Sequence, residues 1–202
     1  RDLSYFANVH PRATGQAGQY EVLQTFPTAG DYVLYDEFEL AGTGDEVHRF
    51  DLNVGGASSA AAHLSTDMTP RQVGDYKVSI ATPGGQVKAG ATASFVVTVE
   101  QNGKPVTDLQ PYLAAASHVV VLDESAGGFS HVHAIAGDVP QADSMSGMGG
   151  ANGVDGMSAP PPSFAPSFTF STRFQTPGLY KFWTQLHQHG QAQTGTWGGV
   201  TQ

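Results

Sequence analysis

Cysteine is absent from the 202 residues, which excludes a disulfide framework, a zinc–thiolate site and a thiol nucleophile. Charge is scarce: Asp, Glu, Lys and Arg make up 13% of the chain, against roughly 25% in an ordinary soluble domain. Positive charge is scarcest, with nine basic residues against eighteen acidic ones and a net charge of −9. Nucleic acid and anionic lipid both need a positive surface, so neither is an expected partner. No uninterrupted apolar run is long enough to cross a bilayer, so no membrane span is expected. The first residues carry no signal-peptide pattern, yet they read as the middle of a domain. The expectation is that a preceding segment holds an export signal or anchor and that the protein is extracytoplasmic. No Gly-x-Ser-x-Gly elbow, Walker loop or zinc-protease helix is present.

What is abundant is apolar and turn-forming. Hydrophobic residues reach 40%, with 25 Gly and 12 Pro, a composition that favours strands joined by turns. Alternating or β-branched runs occur at Leu3–Val9, Tyr20–Phe26, Asp31–Leu40, Val47–Val54, Tyr76–Ala81, Ala93–Val99, His118–Asp123, Phe129–Ala134, Ser167–Phe174 and Leu179–Leu186. No segment holds a helical period over several turns. The expected fold class is all-β, built from sandwiches.

An internal repeat organises the chain. Phe26, Gly30 and Tyr32 align with Phe174, Gly178 and Tyr180 at one constant offset. Upstream, Phe6-Ala-Asn8-Val-His10 aligns with Phe129-Ser-His131-Val-His133 at a shorter offset, so the second copy carries an insertion. It falls on 137–166, a Gly-, Met- and Pro-rich stretch that cannot pack as a strand. The reading is two tandem immunoglobulin-like β-sandwich repeats: a partial first repeat over 1–56, a linker over 57–74 and a second repeat over 75–202. The first lacks its opening strands, which would leave unpaired edges and an exposed core. In each copy a Tyr two residues after a turn Gly is expected to hydrogen-bond back across the corner. Counting from it, Leu34, Phe38, Leu40, Phe182 and Leu186 face the core. Trp183, Gln185, His187 and His189 face outward.

Histidine carries the chemistry. Five of eight lie in the second repeat: His118, His131, His133, His187 and His189. His131/His133 and His187/His189 are each two apart, and such residues on a strand share a face at roughly 6.5–7 Å between Cα atoms. Two imidazoles so placed can converge on one ion, and imidazole suits Cu, Zn, Ni and Fe. Met145 and Met148 in the insertion add soft thioethers that select Cu(I), or else simply fill the loop. The expected cofactor is copper, with zinc less favoured. Without cysteine a thiolate electron-transfer site is excluded, which leaves copper holding, copper transfer or catalysis at a histidine site. In the first repeat Asn8 and Glu39 stand where histidines stand in the second, only His10 survives, and His48 and His63 have no partner at ligand spacing. The acidic run Asp36, Glu37 and Glu39 reads as solvated surface.

Two resemblances follow from these residues. Asp2–Pro11, Asn102–Leu113, Ser117–Val121 and Phe174–Tyr180 look like a family of exported bacterial proteins with tandem immunoglobulin-like repeats, in which a longer first repeat and a role in heavy-metal handling are implied. Gly128-Phe129-Ser-His131-Val-His133-Ala-Ile-Ala-Gly137-Asp138 is similar to the copper motif of Cu/Zn superoxide dismutases. That resemblance implies that His131 and His133 bind copper, with His118 and one of His187 or His189 completing the site. One extra residue separates Phe129 from His131, and no zinc loop or disulfide pair matches, so a copper-only variant is implied. Three functions stand open: copper storage or transfer with another envelope protein as partner, copper-only superoxide dismutation, and a structural surface module.

Overall fold

A computed structural model describes residues 3–40, 44–57, 63–134 and 161–201. Thirteen strands and no helix occur among them, and every strand pairing is antiparallel. Most of the chain after Arg71 forms two facing sheets. One has four strands, in the order β10 (Phe129–Ala134), β9 (Ser117–Asp123), β12 (Gly178–Gln188) and β13 (Gln191–Thr201). The other runs β11 (Ser167–Arg173), β7 (Thr92–Gln101), β6 (Tyr76–Ala81) and β5 (Arg71–Val73), with β8 (Lys104–Pro105) also paired to β7.

Period-two alternation explains the core between them. Val78, Ile80, Phe95, Val97 and Val99 point inward from one sheet and meet Val119, Val121, Val132, Phe182, Leu186 and Trp197 from the other. Phe95 stacks on Phe170 with ring centroids 4.9 Å apart. Each such aromatic contributes a few kcal/mol through apolar area removed from water.

Residues 3–40 and 44–57 form a smaller N-terminal region. It holds the two-residue ladder of β1 (Arg12–Ala13) with β2 (Tyr20–Glu21) and the long hairpin of β3 (Gly30–Leu40) with β4 (Gly44–Val54). Leu34, Phe50 and Leu52 share one face of that hairpin and are exposed, and neither outer edge of the hairpin is paired among the described residues. The opposite face lies on the C-terminal sandwich. Tyr35 stacks on Phe129 at 4.4 Å. The Tyr35 hydroxyl and the Arg49 Nε both donate to the Ala126 carbonyl, at 2.5 and 3.2 Å. Phe6 stacks on Trp183 at 5.1 Å.

The corner tyrosines behave as their spacing requires. Tyr32 donates to the Thr28 carbonyl and Tyr180 to the Thr176 carbonyl, each at 2.8 Å.

Several expectations need correction. Leu3–Val9 forms no strand, and of Tyr20–Phe26 only Tyr20–Glu21 pairs. The linker expected over 57–74 ends early, because Arg71–Val73 pairs with β6 and Asp67 bridges to Gly198. Leu34, expected in a core, is exposed, because no facing sheet covers it among the described residues. Trp183 and Gln185 point away from the sandwich core as expected, yet they are buried under the N-terminal region. Strand β13 went unread because glycine interrupts it. A Cβ at Gly195 would lie 2.4 Å from the Trp197 ring, and one at Gly198 would lie 2.0 Å from the Ser65 carbonyl oxygen. The glycines admit close neighbours rather than turns.

Candidate metal centre

The outer face of the four-stranded sheet is where the histidines gather. On β10, Val132 and Ala134 face the core, so His131 and His133 face outward. Register places His133 directly opposite His118 on β9, and His118 opposite Gln185 on β12. One ring nitrogen from each of His118, His131 and His133 can be chosen so that all three lie within 4.8 Å of one another. Three imidazoles are a sufficient ligand set for a first-row transition ion with a position left open.

Second contacts decide which nitrogens are available. The His118 Nε2 lies 3.1 Å from the Tyr112 carbonyl oxygen and 3.4 Å from that of Leu113. Carbonyls only accept, so Nε2 carries the hydrogen and Nδ1 is left with a bare lone pair. The His131 Nδ1 lies 2.6 Å from the Glu37 Oε2 on β3, so there Nδ1 carries a hydrogen and, in the neutral ring, Nε2 is bare. His118 Nδ1 and His131 Nε2 face each other at 3.1 Å. Two lone pairs at that distance repel unless a cation lies between them, either a proton on the His131 Nε2 donated to the His118 Nδ1 or a metal ion. Nitrogens bound at about 2.0–2.1 Å to one ion stand about 2.9–3.4 Å apart for ordinary ligand angles. A single shared proton serves two rings, whereas a ring nitrogen of His133 also lies within 4.8 Å of both, as a third ligand of one ion would.

Electrostatics keep the buried ring neutral. Burial, then the neighbouring His133 and His131, push the His118 pKa down to about 3. A neutral imidazole is the ligating form. Burial also pushes up the phenol of Tyr112, whose ring lies 5.2 Å from that of His118.

The turn behind His118 is strained. Tyr112 and Ala115 exchange backbone hydrogen bonds of 2.8 and 3.0 Å, and the two central residues, Leu113 and Ala114, have φ of 47° and 69°. A two-residue turn with both φ positive ordinarily uses Asn or Gly. Here non-glycine residues hold it, at a cost on the order of 1–3 kcal/mol each, and the turn aims two carbonyls at one imidazole.

Not every expected ligand joins the group. His187 lies on the same outward face, but Gln110 bridges to its backbone and the Tyr112 ring stands 6.1 Å from its own, so it is outside the three-histidine cluster. Its Nδ1 is buried without a hydrogen-bond partner among the described residues. His189 sits at the β12–β13 turn with φ of 50°, exposed, 3.6 Å from the Asp75 carboxylate. A positive φ breaks the strand alternation that would have aligned it with His187. Met145 and Met148 lie outside the described residues. Two contributors escaped the sequence reading. Glu37, expected as solvated surface, meets His131 across 94 positions, and no spacing rule connects them. Tyr112 belongs to a turn without turn residues. Asn8, aligned with a histidine, instead donates to Gln185 at 2.8 Å beside His118.

No curated protein and no solved structure matches the chain. Residues 71–198 match the family model of a domain of unknown function, DUF8832. That match spans the C-terminal sandwich and all three clustered histidines and covers more than half of the chain, which therefore belongs to the DUF8832 family.

Proposed function

We propose that this is an exported copper-binding protein of the cell envelope that holds or transfers copper at His118, His131 and His133. The observation that carries the reading is the pair of ring nitrogens facing each other at 3.1 Å with a third imidazole beside them. Copper rather than zinc is favoured by Met145 and Met148, which follow β10 in sequence and carry soft thioethers. Storage or transfer is favoured over dismutation by the charges near the site. A superoxide-consuming site gains from positive residues that draw in an anion. Glu37 instead sets a carboxylate against one ligand. Two basic residues on the strands of the second repeat are engaged elsewhere: Arg173 pairs in register with Thr92 in the opposite sheet, and Lys181 donates to the Leu3 carbonyl with its ammonium over the Trp183 ring.

The test is a titration of the full chain with Cu(I), Cu(II) and Zn(II). One tight copper equivalent is expected, lost in His118→Ala and in the His131→Ala/His133→Ala double variant. Undiminished affinity in the double variant would sink the assignment. A superoxide assay on the loaded protein should give rates no higher than copper bound to a simple histidine peptide. Far higher rates would replace storage with catalysis at the same residues.

A further inference from the structure

The histidines belong to the C-terminal sandwich, but one of the groups that prepares them does not. Glu37 comes from β3 of the N-terminal region, and its carboxylate accepts the His131 Nδ1 hydrogen at 2.6 Å. Three further links join the same two regions around that point. Tyr35, two residues back on the same face of β3, stacks on Phe129, two residues before His131 on β10. Asn8 donates to Gln185, the register partner of His118. Arg49, paired with Tyr35, donates to the Ala126 carbonyl. The site is therefore complete only when the N-terminal region is docked.

Resting on the reading of the histidines as a metal site, we infer that Glu37 is its positioning residue and that metal binding and docking of the N-terminal region are coupled through it. A carboxylate behind a ligating imidazole fixes its tautomer, orients the ring and raises its basicity, and removing such a partner typically weakens metal binding about 10–100-fold. Once an ion takes the lone pair of Nε2, the Nδ1–H becomes more acidic and its bond to Glu37 shortens and strengthens. The loaded ring thus holds β3 more tightly than the empty ring does. Coupling of this kind is reciprocal: the factor by which docking raises metal affinity is the factor by which metal favours docking. The N-terminal region acts as a cover that tightens on loading and loosens on release, as a protein that receives and hands on an ion requires.

The experiment uses the full chain as wild type, Glu37→Gln, Glu37→Ala and, as a control on the same strand, Glu39→Ala. Three quantities are measured: Cu(I) affinity by competition with a chromogenic chelator, hydrogen exchange across residues 30–40 and 46–54 with and without Cu(I), and the ¹⁵N shifts of His131 without metal. In wild type and in Glu39→Ala, copper should slow exchange in the hairpin, and His131 should carry its hydrogen on Nδ1. Glu37→Ala should bind copper 10–100-fold more weakly, lose the copper-dependent protection and mix the two His131 tautomers. Glu37→Gln, whose amide oxygen still accepts a hydrogen bond but brings no charge, should keep the tautomer and fall between the two in affinity. This variant and the tautomer readout separate positioning from simple loss of structure should Glu37→Ala fold poorly. Wild-type affinity in both Glu37 variants, or hairpin exchange indifferent to copper in wild type, overturns the coupling and leaves the histidine site standing. Failure of wild type to bind copper at all overturns both.

Discussion

The two parts of this molecule carry the same corner and have different fates. Gly30 and Tyr32 open β3 as Gly178 and Tyr180 open β12, and both tyrosines tie back to a carbonyl four residues upstream. Behind Tyr180 a second sheet closes over Phe182 and Leu186, which are 2% and 0% exposed. Behind Tyr32 no described sheet closes, and Phe50 is 53% exposed. The hairpin's other face is the one that is used, with Tyr35 and Glu37 pressed on the outer face of the sandwich. A local motif therefore sets how a strand starts, and the neighbour it meets sets which face becomes interior.

The sharpest way to break this comparison is a pair of matched truncations. Phe182→Ala should cost about 3–5 kcal/mol in urea unfolding, through lost burial plus an unfilled cavity. Phe50→Ala should stay within about 0.5 kcal/mol, as exposed positions usually do. A large cost at Phe50 would mean that the exposed face is covered in solution.

Acid should act on the sandwich through His118. Its folded pKa of about 3 lies below the unfolded imidazole value of about 6.5. The unfolded chain therefore binds the proton more readily, and stability falls as pH drops from 6.5 toward 3. Between neutrality and pH 4.5 the metal-free protein should lose about 2–3 kcal/mol from this group. His118→Gln should flatten that part of the profile, and an unchanged slope would locate the loss elsewhere.

The smallest effect concerns the corners themselves. Tyr180→Phe removes a hydrogen bond at a buried hydroxyl and should cost about 1 kcal/mol. Tyr32→Phe, at a more exposed corner, should cost a few tenths. Equal losses would argue that both corners sit in comparable environments.

Alternation or β-branched runs made β3, β6, β7, β9, β10, β11 and β12 legible within a residue or two, because burial on one face of a pleated strand, or on both faces as in β9, writes itself into the sequence. Strand β13 was hidden, since Gly195, Gly198 and Gly199 answer to the bulk of Trp197, Val73, Ser65 and Phe182 rather than to any local propensity. The turn at Tyr112–Ala115 was hidden for the converse reason: its left-handed residues are not the ones that prefer that conformation.

Residue type and spacing by themselves determined that the chain is all-β, that His131 and His133 share a strand face, and that a thiolate site is impossible. Only the tertiary structure decided that His118 joins them while His187 and His189 do not, and that Glu37 backs His131. The reason is physical. Two residues apart on a strand is a local relation that the pleat enforces, whereas His118 meets His133 through the register of two strands and Glu37 meets His131 through the docking of two regions. Those distances are set by the whole packed molecule.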